Sequence, residues 1–159
     1  MRSGTPEAFD QPLPVSTSIA VLAARFNGHI VEVLLDGCLK RLKEIGVDES
    51  RIDVQRVPGA FELPVAAKLY AETKRYQAVI CLGCVIRGET AHFDYVAGEA
   101  ARGIMQVSLS SGVPVIFGVL TVENEQQAQA RAGGSHGHAG VSSADAAAEM
   151  IRLALGVRR

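Results

Sequence analysis

The sequence predicts an α/β domain in which a four-stranded parallel sheet is covered by helices on both faces. Three observations predict it. Short apolar runs rich in Val, Ile, Leu and Ala alternate with segments whose apolar residues recur at helical spacing, the pattern of parallel strands joined by crossover helices. One of these runs, Ala78 to Leu82, is apolar without alternation, as burial of both strand faces requires. The 159 residues are 48% hydrophobic and 21% charged, which excludes a disordered or fibrous chain and leaves room for one packed domain.

Each element follows in order. Ser18 to Ala24 (SIAVLAA) reads as the first strand, and Asn27 stands where the next helix needs an N-cap. In that helix Ile30, Val33, Leu34, Gly37, Cys38 and Ile45 face inward, Glu32, Lys40 and Lys43 face outward, and Gly46 is the stop. Ile52 to Val57 is the second strand, closed by Pro58-Gly59. A helix follows from about Leu63, with Pro64 tolerated in its first turn. The third strand, Ala78 to Leu82, leads through a glycine-punctuated loop, Gly83 to Thr90, into a helix from about His92 to Ser110. Val113 to Leu120 is the fourth strand, Glu123 to Arg131 a short helix, and Arg131 to Gly140 a Gly/His-rich loop. The last helix is expected from Ser142, where Ser142 and Asp145 resemble a capping box, to about Leu155. Residues 1–15, with Pro6, Pro12 and Pro14, read as a flexible arm without the apolar stretch of a signal peptide, and residues 16–159 as the domain.

Composition narrows the partners. Sixteen Lys+Arg against 17 Asp+Glu give a formal net charge of -1 and no clustered basic face, so nucleic acid is not an expected partner. No apolar run approaches the roughly 20 residues of a membrane span. Three cysteines without an export signal suggest free thiols in a reducing cytoplasm. Cys81 and Cys84 form a CxxC pattern. It lacks a second ligand pair for zinc, and Val85-Ile86 continue an apolar run where a redox motif opens a helix, so both read as buried strand thiols.

In open parallel sheets ligands sit beyond the carboxyl ends of the strands. The loops expected there carry Phe26-Asn27, Pro58 to Glu62, Gly83 to His92, and Phe117 to Thr121. Aromatics are only 5% of the chain, yet Phe26, Phe61, Phe93 and Phe117 fall at or beside that edge, which favours a flat ligand stacked on a ring; Phe residues also cap core edges. The Val85 to His92 segment ends at a helix N-terminus, where an anion is favoured and Thr90 can donate to it. Arg87 serves either that anion or a loop-fixing salt bridge. His92 suits proton transfer near neutral pH or a capping role. Glu62 can accept hydrogen bonds from ligand hydroxyls or complement a helix dipole, and Arg131 can meet a phosphate or do the same at a helix end.

Phe26-Asn27, Val57-Pro-Gly-Ala-Phe-Glu-Leu-Pro64, Gly83-Cys-Val-Ile-Arg-Gly-Glu-Thr-Ala-His-Phe-Asp-Tyr-Val96, Gly112-Val-Pro-Val-Ile-Phe-Gly-Val-Leu-Thr121 and Arg131-Ala-Gly-Gly134 resemble the lumazine synthase family. The resemblance runs from about Ser18 to Leu155. It implies a three-layer flavodoxin-like fold and the condensation of 5-amino-6-(D-ribitylamino)uracil with 3,4-dihydroxy-2-butanone 4-phosphate, releasing phosphate and water. It implies no metal or organic cofactor. It also implies homo-oligomers, either pentamers or 60-subunit shells, with each site shared between adjacent subunits and riboflavin synthase as a partner. Carried over by motif, Phe26 stacks on the pyrimidine, Ala60, Phe61 and Glu62 bind the ribityl side, and Cys84, Val85 and Ile86 lie against the pyrimidine. Glu89 and Thr90 hold the ketone phosphate, His92 carries protons, Phe117 enters from a neighbouring subunit, and Arg131 meets the phosphate. Family members often carry Asn-Lys before the glycine matching Gly140. Here His138-Ala139 stand there, so a weaker phosphate subsite is expected, with His138 or Arg131 compensating. The alternatives are a lumazine- or flavin-binding scaffold with weakened catalysis and a flavodoxin-like nucleotide-binding module.

Overall fold

The computed structural model describes residues 12–158. The elements are β1 (Ile19–Ala24), α1 (Gly28–Ile45), β2 (Ile52–Val57), α2 (Leu63–Glu72), β3 (Ala78–Ile86), α3 (His92–Ser111), β4 (Val115–Val122), α4 (Glu125–Ala130), β5 (Ala132–Gly134), β6 (Gly137–His138) and α5 (Ala139–Val157). The four long strands form one parallel sheet in the order β2-β1-β3-β4, as the alternating pattern predicts.

Period-2 alternation divides the central strands between two cores. Ile19, Val21 and Ala23 of β1 and Ile80, Leu82 and Cys84 of β3 pack with buried residues of α1 and α5. Ala20, Leu22 and Ala24, with Val79 and Cys81, pack with residues of α2 and α3 on the other face. Every β1 residue is therefore buried, and the continuous apolar run has its physical reason. Each fully buried Val, Leu or Ile contributes about 1.5–3 kcal/mol, so a charge at Val21 would break this layer.

α1 ends as expected, with Gly46 left-handed at φ 104 and its N–H directed to the carbonyls of Leu42 and Lys43. Glu32, Lys40 and Lys43 are exposed, but so is Val33, which was expected inside. Asn27 occupies the N-cap position without a side-chain cap bond.

The largest boundary differences lie at the loops. Residues Gly83 to Ile86 belong to β3, because β4 pairs with them through Val119, Leu120, Thr121 and Val122. β4 runs two residues further than Leu120, and α4 is trimmed to Glu125–Ala130 with Asn124 as its cap, accepting from the Gln127 N–H. The expected Gly/His loop contains the antiparallel pair β5 and β6. α5 starts at Ala139 rather than Ser142. His138 caps it, its Nδ1 accepting from the N–H groups of Gly140 at 3.1 Å and Val141 at 3.3 Å. Asp145 is engaged elsewhere, with Arg41 Nε at 2.7 Å, which ties α5 to α1.

Phe9 and residues 1–11 of the expected arm lie outside the described residues. Leu13 is buried in the α1–α5 core, so the segment leading into β1 is packed.

Candidate functional site

β1 lies between β2 and β3, so the chain order reverses across the β1/β3 pair. The helix after β1 covers one face and the helix after β3 the other, which opens a crevice beyond the strand ends. A cavity of about 770 Å3 occupies that place, a size suited to a small organic ligand. Its walls come from four segments: Phe26 after β1, Pro58 to Glu62 after β2, Cys84 to Ile86 at the end of β3, and Gly88, Thr90, His92, Phe93, Tyr95 and Val96.

Local structure explains each wall. Phe26 is 72% exposed because it sits in the β1–α1 turn, its N–H donating to Pro58 O at 3.0 Å. Ala60, Phe61 and Glu62 form a 3-10 turn before Pro64 opens α2, which turns Ala60 inward and leaves Phe61 exposed. Cys84 and Val85 are buried strand residues, and Ile86 is half-buried at the rim. His92 opens α3, its N–H donating to Thr90 Oγ1 at 3.3 Å, and its side chain is exposed on the cavity.

Of the two readings open for Arg87, the structure takes the loop-fixing one. Its Nε meets Glu123 at 2.9 Å, its Nη2 meets Asp94 at 3.5 Å, and the guanidinium lies 4.5 Å from the centre of the Phe93 ring. This brace joins the β3–α3 loop to the end of β4. Glu89 is exposed in the same loop and does not line the cavity.

The CxxC pair is inert for a geometric reason. Three residues apart on a strand, Cys81 and Cys84 face opposite sides of the sheet and sit in different cores. Burial pushes Cys81 up to about 12, and burial followed by the Glu125 charge pushes Cys84 up to about 11. Among the described residues no cluster of three or more His, Cys, Asp or Glu side chains is placed to hold a metal.

Phe117, Arg131 and His138 are not in this cavity. Phe117 was expected in a loop at the ligand edge, but it pairs with Cys81 in register and so lies midway along β4, the edge strand. It lines a second cavity of about 380 Å3 together with Arg131, His136, His138 and Ser142. Arg131 Nη1 donates to Gln127 O at 3.1 Å, while His138 is committed through Nδ1 to capping α5.

The sequence model described as 6,7-dimethyl-8-ribityllumazine synthase matches residues 16–154. A protein of that name from Coxiella burnetii (strain RSA 493 / Nine Mile phase I) is 50% identical over 138 residues, 87% of this chain and 91% of its own length. Another from Xanthomonas euvesicatoria pv. vesicatoria is 48% identical over 140 residues, 88% of this chain and 91% of its own. The chain belongs to the 6,7-dimethyl-8-ribityllumazine synthase family.

Set against the residues that the lumazine synthase resemblance implies, the first cavity gathers Phe26, Ala60, Phe61, Glu62, Cys84, Val85, Ile86, Thr90 and His92. The second gathers Phe117, Arg131 and His138. Tyr95 was not singled out in the sequence, although it lines the first cavity and is 71% exposed. Its spacing of three from His92 on one helix was the available signal.

Proposed function

We propose that this chain is the synthase that condenses 5-amino-6-(D-ribitylamino)uracil with 3,4-dihydroxy-2-butanone 4-phosphate to 6,7-dimethyl-8-ribityllumazine, a transferase of riboflavin biosynthesis. The observation that carries the reading is the convergence of Phe26, the Ala60 to Glu62 turn, the Cys84 to Ile86 strand end and His92 on one cavity at the sheet's reversal point. Phe26 stacks on the pyrimidine, Cys84 to Ile86 lie against it, and Glu62 accepts from ribityl hydroxyls. Thr90 at the start of α3 holds the ketone phosphate, Glu89 beside it in the loop stays outside the cavity, and His92 carries protons.

The chemistry needs little more. The substrate amine attacks the ketone to give an imine, phosphate leaves, and an internal amine closes the ring. Holding two substrates in reacting geometry removes up to about 7–11 kcal/mol of a bimolecular barrier. A positioned histidine adds roughly 10²–10⁴-fold.

The site is completed by a neighbouring subunit of a pentamer or of a shell built from pentamers. The separation of Phe117, Arg131 and His138 into a second cavity supports this reading, because one chain holds both halves without joining them. Co-refolding His92→Gln subunits with Arg131→Ala subunits tests it. Shared sites restore about a quarter of wild-type activity at equal mixing; sites contained in one chain restore none. Sedimentation separates pentamer from shell. The domain spans residues 16–159, after an arm of residues 1–15 whose end packs onto the domain through Leu13. The enzyme works in the cytoplasm and hands its product to riboflavin synthase; the free thiols of Cys38, Cys81 and Cys84 support the compartment.

A second reading, a lumazine-binding scaffold with weakened catalysis, is favoured by Ala139 alone. Mixing both substrates and following lumazine fluorescence decides between them. Product formed at a rate proportional to protein supports the synthase, and none at substrate saturation overturns it.

A further inference from the structure

Asn27 holds the N-cap position of α1 without capping it, and its use lies elsewhere. Its Nδ2 donates to Cys84 O at 2.8 Å, joining residues 57 apart in the chain. Its backbone is left-handed, φ 56 and ψ 40, a conformation that suits Asn or Gly and few other residues. That turn starts the helix, with the N–H groups of Ile30 and Val31 both donating to Asn27 O, at 3.0 and 3.1 Å. One residue earlier, the Phe26 N–H is held by Pro58 O.

The turn bearing Phe26 is thus fastened on both sides, and the two fastenings differ. Toward β2 the backbone ladder runs on to the end of both strands, Ala24 opposite Val57, and the Arg25 N–H extends it to Val57 O at 2.8 Å. Toward β3 the ladder stops at Ala23 opposite Leu82, two residues short of Cys84. This is the reversal point, where the following helices diverge and backbone pairing ends. The Asn27 amide spans it.

We propose that Asn27 is a positioning residue. Through the Cys84 carbonyl it holds Phe26 at a fixed spacing from the Cys84 to Ile86 wall, so that a planar ring is gripped between them. The proposal rests on the reading that Phe26 stacks on the pyrimidine. It adds a residue that acts through another and touches no reacting atom.

The test compares wild type, Asn27→Gly, Phe26→Leu and the double variant. Glycine keeps access to the left-handed turn and removes the clamp, and Asn27→Asp removes the clamp without the added backbone freedom of glycine. Asn27→Asp, which keeps the size but sets an acceptor against the Cys84 carbonyl, carries the comparison if the glycine variant melts below the assay temperature. Loss of the clamp raises KM for the pyrimidine substrate about tenfold and leaves KM for the ketone phosphate within about twofold. In the Phe26→Leu background the same change moves the pyrimidine KM by less than about twofold, since the group being positioned is gone. Equal effects in both backgrounds, equal effects on both substrates, or an unchanged pyrimidine KM would overturn the proposal. Wild-type turnover in the same assay reports separately on the synthase reading. If wild type makes no lumazine, the four proteins are compared by fluorescence titration with 6,7-dimethyl-8-ribityllumazine, and the same fold-changes decide.

Discussion

Replacing Gly37 by alanine tests how the second cavity is built. A Cβ at Gly37 would stand 2.2 Å from Cε1 and 2.4 Å from Nε2 of His138. Carbon atoms settle at about 3.5–4.0 Å, so the ring must retreat by roughly an ångström or more. It has little room, because positions 133 and 140 are also glycines whose own Cβ atoms would lie 3.2 and 3.0 Å from the ring. A retreat of that size breaks both hydrogen bonds from α5 to His138 Nδ1. Losing an N-cap costs about 1 kcal/mol, and residual overpacking about 1–3 kcal/mol. Together they give about 2–4 kcal/mol, or roughly 5–15 °C in Tm for a chain of this size. His138→Asn supplies the control, since asparagine caps helices well and removes the ring. In that background Gly37→Ala is expected within about 1 kcal/mol of neutral, a coupling of about 2 kcal/mol between residues of α1 and the α5 cap. Thermal melts of the four proteins measure it. Tm losses that simply add in the double variant would refute the reasoning.

The remaining predictions are more local. Native protein treated with iodoacetamide at pH 8 keeps all three thiols, because burial pushes Cys38 and Cys81 up to about 12 and, with the Glu125 charge, Cys84 up to about 11; unfolding in urea exposes them to labelling. Rapid native labelling of Cys84 would contradict its placement in the strand. The Arg56 guanidinium, hydrogen-bonded to Glu32 at 2.9 and 3.0 Å, lowers the Glu32 carboxyl below its ordinary 4.5. Its stabilisation is full above that ordinary value and fades as pH falls through the lower folded one, so urea midpoints of wild type and Glu32→Gln differ by a constant amount above that ordinary value and converge only as the pH is taken well below it. Ala139→Lys is expected to lower KM for the ketone phosphate several-fold, on the order of one added charge contact, with the pyrimidine KM unchanged; steady-state kinetics in each substrate reads it.

Much of the fold was legible because burial leaves a periodic trace. The β1 and β3 runs had to be apolar throughout, since both faces are covered, and the left-handed position after α1 called for Gly46. The first cavity was legible for a related reason. Phe26, Glu62 and His92 each lie in or at the end of the connection that follows a strand, and parallel strands bring their carboxyl ends to one edge whatever the order of strands. The start of α5 was not legible, because the Ser142–Asp145 spacing is a fair cap by itself. Only the approach of α1 placed Arg41 against Asp145 and packed His138 over Gly37.

By itself the sequence determined the layered α/β architecture, the family and the residues near the first three strand ends, all of which rest on local periodicity and motif order. Strand register and helix packing decided the rest. Pairing with Cys81 set Phe117 midway along β4 and into a second cavity. The close approach of α5 to α1 turned His138 into a cap. The reversal between β1 and β3 drew Asn27 away from its helix to the Cys84 carbonyl. Each is a contact between residues distant in the chain, and no local pattern encodes the distance at which two elements meet.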